Sequence, residues 1–598
     1  MIAGFRGRGV KPDPRTPRAV HTTWSRSTID MPRFRILIVV LLTVLIGSPR
    51  PAASQPAPNT PVKYWIFLEY DEHEVGKTTA PTVSSRALQR RALRARVADG
   101  LDPDRPVAAL HVERLAALGV TPIVQSRWLQ AVSAWLDPVT LQSVKALPFV
   151  REVRPVGVAI PLDNRSTRAP FEPASAARPV SGMVASAEPL AFNFGFSLTQ
   201  MMVAGAVATV EAGWNGQGVI LGVIDTGWGD ISTHPALRPI TDSGRLKGDR
   251  DFTGKADDGD RHARAVLSVA AGFLDGSLIG PAYGADILHA RTEYVPTETN
   301  QEEDAFVAGL EWMEAEGVDV VNVSLGYSVF DAGQRSYTYA DMNGRTAVTT
   351  LAAEHAAALG VVVVAAAGNE GWCSSPAFCW YYIASPADGP SVISAGGVTS
   401  SRTRSSFSSF GPTSDGRTKP NVSAMASSVF LADSGSGFSF SQGTSFASPM
   451  IAGIVAQVLQ ADPSLSPSQV RELLQSTASQ AGAPNNSLGW GIVNAQAAMA
   501  TITGREKSET PANLVLGAWP NPFTDRVDVV ATFPPEATGA RLDLIDILGR
   551  TIATFEAPTS TDGTWRLTID TSGFAPGLVL YRLTAGSRIA SGSLIHAQ

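Results

Sequence analysis

Between residues 195 and 500 the chain repeats one arrangement: a short unbroken apolar run, a polar turn, then a longer amphipathic stretch. Val219–Ile224, Val318–Val323 and Val361–Ala365 are the apolar runs, and Glu302–Glu316 and Thr346–Leu359 are two of the amphipathic stretches. A strand that is apolar at every position has no face to offer water and must be covered on both sides. Such strands alternating with helices predict an α/β domain, with a parallel sheet covered by helices on both faces. In sheets of this kind reactive groups gather at the carboxyl ends of the strands. The polar residues that follow each apolar run are therefore the informative ones.

The chain has 598 residues, too many for one core, and its character changes along its length. Residues 60–158 hold a strand at Tyr64–Leu68, helical stretches at Ser84–Ala98 and Val107–Leu118, and an alternating strand at Gln130–Leu136, the content of a small α+β domain. Residues 159–192, rich in Ala, Pro, Ser and Arg, read as an exposed linker and processing region. A second linker spans 503–513, and 514–598 hold short alternating runs (Val527–Ala531, Arg541–Ile547, Leu578–Leu583) that predict a small β-sandwich.

Arg33 and Arg35 precede the apolar run Ile36–Ile46, and the small residues Ala52, Ala53 and Ser54 follow. That is an export signal within residues 1–54, with Met31 as an alternative start. The run is too short for the roughly 20 residues of a spanning helix, so no permanent membrane span is expected. A net charge of −6 gives no footing for nucleic acid or an acidic membrane. The two cysteines, Cys373 and Cys379, can bridge in an oxidising compartment or remain two separate thiols.

Three polar positions after apolar runs could do chemistry. Asp225, in Gly222-Val223-Ile224-Asp225-Thr226-Gly227, is costly to bury unless its charge is used, for instance to orient a histidine. Ser445 opens the apolar helical run Phe446–Leu459, where the helix dipole favours negative charge on an attacking oxygen. Asn369, in Gly368-Asn369-Glu370-Gly371, offers uncharged N–H donors to an oxyanion. Each motif alone has an ordinary reading, as a turn or a helix cap. Among the histidines, His289 and His355 read as packing residues. His262, at the start of the apolar helical run Ala265–Phe273, is favoured over His234 as the base.

Taken together, these motifs resemble the subtilisin-like serine peptidases. Gly443-Thr444-Ser445-Phe446-Ala447-Ser448-Pro449 resembles the family's nucleophile motif throughout, Val223–Gly227 its aspartate motif and Ala367-Gly368-Asn369 its oxyanion motif. The resemblance implies a triad of Asp225, His262 and Ser445, with Asn369 as oxyanion donor. It also implies a substrate cleft lined by Ser324, Leu325, Gly326, Gly368 and Thr444. One departure stands out: the family's histidine is usually followed by Gly and Thr, here by Ala263 and Arg264. Hence a second expectation, a catalytically impaired homologue serving as a surface binding protein.

The flanking units resemble partners of this family. Residues 60–158 resemble an inhibitory propeptide, although its helix with Arg86, Arg90, Arg91, Arg94 and Arg96 reads equally as a solvated face. Residues 514–598, with Trp519-Pro520-Asn521-Pro522-Phe523 and Asp546-Ile547-Leu548-Gly549-Arg550, resemble the sorting domain of type IX secretion. That implies a Gram-negative bacterium of the Bacteroidetes kind and delivery to the cell surface or medium. A β-sandwich that acts as an adhesin is the alternative for this unit. The resemblance makes residues 193–502 the peptidase domain, and the chain's implied partners are protein or peptide substrates, its own propeptide and the secretion machinery. No cofactor is required and no metal ligands are assigned. Some relatives bind structural calcium, and no loop for it is recognisable here.

Overall fold

The computed structural model describes residues 61–69, 83–95, 103–158, 190–331, 333–372, 380–504 and, with short gaps, 515–596. The export signal, the linker up to residue 189, most of the second linker, Arg96, and Cys373 with Cys379 lie outside the described residues.

Seven strands form the central sheet, in the order Val422–Met425, Ile393–Val398, Val362–Ala366, Val320–Val323, Ile220–Asp225, Asp286–Arg291, Leu246–Asp251. Every pairing is parallel. The three apolar runs of the sequence are its three middle strands. Successive side chains point to opposite faces. Leu221 and Val223 join a core with the helices His262–Ala271 and Thr444–Ala461, while Ile220 and Ile224 join another with Asn300–Glu316 and Val348–Ala358. The helix Asn300–Glu316 begins two residues earlier than its apolar pattern, because Thr299 and Glu302 form a capping box. Thr444–Ala461 is long and apolar enough to cross a membrane, but 89% of it is buried in this core.

The first unit is a four-stranded antiparallel sheet in the order Val124–Ser126, Ala131–Leu136, Val62–Leu68, Val150–Val158. Both of its faces are covered. Ile66 and Leu68 pack with Leu115 and Val144 of the unit's own helices, Ala109–Ala117 and Pro138–Lys145. Trp65 and Phe67, on the other face, share a core with Phe306, Leu310 and Met313 of Asn300–Glu316. Lys63 forms a buried ion pair with Asp304 at 2.5 Å.

The arginine-rich helix, Ser85–Arg94, adds nothing to its own unit's core. Its buried residues Ala87, Arg90 and Arg94 serve the central domain instead, which rules out a solvated face. Arg90, Arg91 (2.7 Å) and Arg127 (3.1 Å) all pair with Glu314, whose side chain is fully buried. Arg86 and Arg94 pair with Asp319. The same guanidinium groups donate to carbonyls past the ends of two helices: Arg86 to Gly317, Arg90 to Val318 and Leu359. Cations at helix C-termini are favourably placed against the dipole.

The last unit comprises two antiparallel sheets. One holds Val515–Trp519, Arg526–Thr532 and Thr564–Asp570; the other holds Thr551–Glu556, Arg541–Ile545, Gly577–Ala585 and Arg588–His596. Val527, Val529 and Trp565 of the first share a core with Leu542, Leu544 and Leu583 of the second, making the expected β-sandwich.

Candidate active site

Asp225 is the last residue of its strand and fully buried. Its Oδ1 accepts from the Thr226 N–H (2.7 Å) and lies 2.7 Å from Nδ1 of His262. His262 is the first residue of its helix. An N-terminal turn leaves donors without intrahelical partners, and they are satisfied locally. Asp260 accepts from the His262 N–H (2.8 Å) and the Thr226 hydroxyl from the Ala263 N–H (3.3 Å). The His262 ring lies 5.8 Å, centroid to centroid, from that of Phe446, the residue after Ser445. Asp225 and His262 are thus in contact, and the first turn of the helix that holds Ser445 lies beside them at one end of the sheet, with the Ser445 hydroxyl donating to the Ser324 carbonyl at 3.2 Å.

Ser445 is the second residue of Thr444–Ala461, one position further in than the apolar pattern indicated, because Gly443 (φ +148°) takes the cap position. Pro449 lies in the same helix. Proline has no N–H, so the Ser445 carbonyl, four residues earlier, loses its helical donor. Ser324 supplies the replacement: its hydroxyl donates to that carbonyl at 2.8 Å. Asn322 donates to Ser324 Oγ (2.9 Å) and accepts from Ser448 (2.7 Å), so a buried polar chain anchors the serine. Sequence reasoning missed Asn322 and Ser448. The signal was a proline four residues after a candidate nucleophile.

The Asn369 carboxamide has a definite orientation. Its oxygen accepts from the Thr444 N–H (2.8 Å), a contact that only the oxygen end can make. Its NH2 group is the end left to meet a substrate. Thr444 is fully buried, and its hydroxyl bonds to Asn369 Oδ1 and the Gly368 carbonyl. The side chains of Ser324 and Thr444 are therefore committed inside the protein. Gly326 is exposed and Gly368 partly so, while Leu325 is buried.

The other histidines separate by their partners. His234 is buried, with Nδ1 accepting from Ala236 N–H and Nε2 facing the Gly437 carbonyl. It is spoken for structurally and lies outside the triad. His355 stacks on Trp128. His289 does more than the packing expected of it, since both of its ring nitrogens are hydrogen-bonded.

Arg264, the departure from the family pattern, is nearly buried. Its guanidinium donates to the carbonyls of Trp228 (3.0 Å), Asp230 (3.4 Å), Asp433 (3.3 Å) and Gly435 (3.4 Å). It cross-links the loop after Asp225 to the hairpin Val429–Ser441, and these four bonds all go to main-chain carbonyls. Arg264→Thr is expected to cost about 2 kcal/mol of stability, the scale of charged hydrogen bonds, and to leave peptide cleavage close to wild type. Calorimetry and steady-state kinetics check this; lost turnover at unchanged stability would contradict it.

Among the described residues, one carboxylate set could share a cation. Glu293, Glu298 and Glu302 place oxygens within 4.8 Å of one another, and Tyr327 donates to Glu293 at 2.6 Å.

The model of the subtilase family matches residues 216–491, that of the Bacteroidota peptidase S8 propeptide domain 63–169, and that of the secretion system C-terminal sorting domain 517–596. Subtilisin DY of Bacillus licheniformis is 33% identical over 288 residues, 48% of this chain and 92% of that protein. Subtilisin E of Bacillus subtilis (strain 168) is 32% identical over 300 residues, 49% of this chain and 68% of its own length. Subtilisin Savinase of Lederbergia lenta is 30% identical over 297 residues, 49% and 95% respectively.

Proposed function

The chain belongs to the subtilase family, and on that footing we propose that it is a secreted serine endopeptidase acting through an acyl-enzyme on Ser445. His262 takes the hydroxyl proton as Ser445 Oγ attacks a peptide carbonyl, then gives it to the leaving amine. Asp225 holds the imidazole in the tautomer that accepts at Nε2. The Asn369 NH2 and the Ser445 N–H bind the oxyanion. Water, activated by the same imidazole, releases the acid and restores the serine. Ser324–Gly326 offer backbone to an extended substrate, with Leu325 and Gly368 shaping the wall. None of these steps draws on a metal or cofactor.

The observation that carries the reading is the 2.7 Å contact between Asp225 and His262, beside the helix turn that holds Ser445. With Arg264 bound to backbone carbonyls, the impaired-homologue reading has no motive. The decisive experiment treats the processed protein with an organophosphonate and maps the adduct by mass spectrometry. Label on Ser445 is the expected result, and a folded, processed protein that takes none would refute it.

The sorting domain accounts for secretion towards the cell surface. In this reading the export signal takes the chain across the inner membrane and the last unit takes it across the outer membrane by type IX secretion. Deleting residues 514–598 is expected to trap the protein inside the cell with soluble peptidase activity intact. Loss of cleavage itself would point instead to a catalytic role for the sandwich.

A further inference from the structure

His289 lies on Asp286–Arg291, the strand beside Ile220–Asp225, with its Cα opposite that of Val223. Its side chain is 2% exposed. Nδ1 stands 2.8 Å from Asp249 Oδ1 on the edge strand, and Nε2 stands 2.9 Å from the carbonyl of Thr226. A carbonyl and an ionised carboxylate can only accept. A neutral imidazole has one N–H, so one of these two contacts would set lone pair against lone pair. Asp249 is a carboxylate about half exposed to water, and it also accepts from the Trp228 indole at 2.9 Å, so it stands to His289 as an acceptor. The Trp228 ring also stacks on the imidazole, centroids 3.8 Å apart and planes 25° from parallel. An aromatic face at that distance favours a cation.

We propose that His289 is an imidazolium with a proton on each nitrogen, and that this buried cation is a positioning residue for Asp225. The second half rests on Asp225 belonging to the triad. Thr226 is the link. Its carbonyl receives the Nε2 proton of His289, and its N–H donates to Asp225 Oδ1, the oxygen that faces His262. Its hydroxyl joins Asp260 (2.7 Å) and the Ala263 N–H. One residue thus ties the carboxylate to the first turn of the histidine helix, and His289 pins that residue's remaining polar group. The other charged groups at this loop are engaged elsewhere, Asp230 with the Ser232 N–H and hydroxyl. Arg261, close to Gly229, binds Asp257; Arg264, also close to Gly229, binds carbonyls; Asp257 lies near Gly227, and Asp260 holds Thr226 and His262.

The test uses the full-length, processed protein with ring-labelled histidine. At about pH 7.5, where a free imidazole is mostly neutral, nuclear magnetic resonance is expected to show one histidine with two slowly exchanging ring protons. That signal should vanish in His289→Gln and His289→Phe. The phenylalanine keeps the stack on Trp228 without a donor, while the glutamine keeps a donor for Thr226 without a cation. His289→Phe is expected to lower kcat by roughly 10- to 100-fold with KM unchanged, and His289→Gln to recover part of it. Should the phenylalanine variant not fold, Asp249→Asn is read instead, at a side chain about half exposed. It should remove one ring proton and lower kcat without moving KM. A singly protonated His289 in the wild type, or a folded variant with full kcat, overturns the proposal. Phosphonate labelling of Ser445 runs alongside: no adduct would refute the peptidase reading while the ring-proton signal still decides the charge of His289.

Discussion

Ser445→Ala is expected to lower kcat by a factor on the order of 10⁶, the size of the loss that removing the nucleophile causes in a subtilisin. The substitution should be structurally quiet. The serine is anchored by its main chain, through the carbonyl that Ser324 caps, and its own hydroxyl makes only a 3.2 Å contact to the Ser324 carbonyl. The variant should therefore unfold at the wild-type temperature and still dock its propeptide. If the chain matures by its own action, it should also stay joined through residues 159–192. Hydrolysis of an unstructured protein substrate and the mass of the purified chain check both points. Cleavage surviving well above about one part in 10⁶ would exceed what binding and an oxyanion hole alone provide, and would mean another nucleophile.

Glu314→Gln is expected to release the first unit after processing. Three guanidinium groups, from Arg90, Arg91 and Arg127, converge on this one buried carboxylate. Removing one side of a buried pair leaves the other side uncompensated and costs about 3–5 kcal/mol. Glu314 belongs to the central domain and its partners to the first unit, so the cost falls on the complex. Dissociation should strengthen between about 10² and several times 10³-fold. Turnover by the freed enzyme should not change, because Glu314 lies before the amino end of the strand Val320–Val323 and Ser324 follows its carboxyl end. Gel filtration of the processed protein and the time course of activity report the release; wild-type retention would show that the apolar contact of Trp65 and Phe67 suffices.

The same interface sets a pH direction. Burial pushes Glu311 up to about 7, against the pull of the Ser126 hydroxyl and of Arg127. Its carboxylate accepts from the Ser126 hydroxyl (2.5 Å) and the Trp128 N–H (3.3 Å), both on the first unit. A group whose value is higher in the complex takes up a proton on docking. This contribution is complete below the ordinary carboxylate range and is lost as pH rises towards 7, so the hold should loosen with rising pH.

The sequence disclosed the middle of the sheet and little of its margins. Strands wedged between two helix layers must be apolar throughout, and those are the three runs that stand out by eye. Leu246–Asp251, at the edge, is mostly polar and exposed, so it lacks that mark. Ile393–Val398 contains Gly396 and Gly397 because space is short: a Cβ at 397 would come within 2.7 Å of Ala426 Cβ. Glycine in a run reads as a turn unless the neighbour that demands it is known. The site divides the same way. Asp225, His262, Asn369 and Ser445 carry local motifs. Ser324 carries a cleft motif that does not show its part in anchoring Ser445, and Asn322 and His289 act through partners far along the chain.

The arginine-rich helix and Glu314 lie on opposite sides of the processing region and share one buried electrostatic balance. Neither half can drift freely in evolution: a change at Arg90 invites a matching change at Glu314. A propeptide borrowed from a relative without these arginines would strand a carboxylate in a dry interface. Swaps of this unit between paralogues should therefore fail by charge mismatch even where the apolar surfaces fit, which makes each enzyme's guardian largely its own.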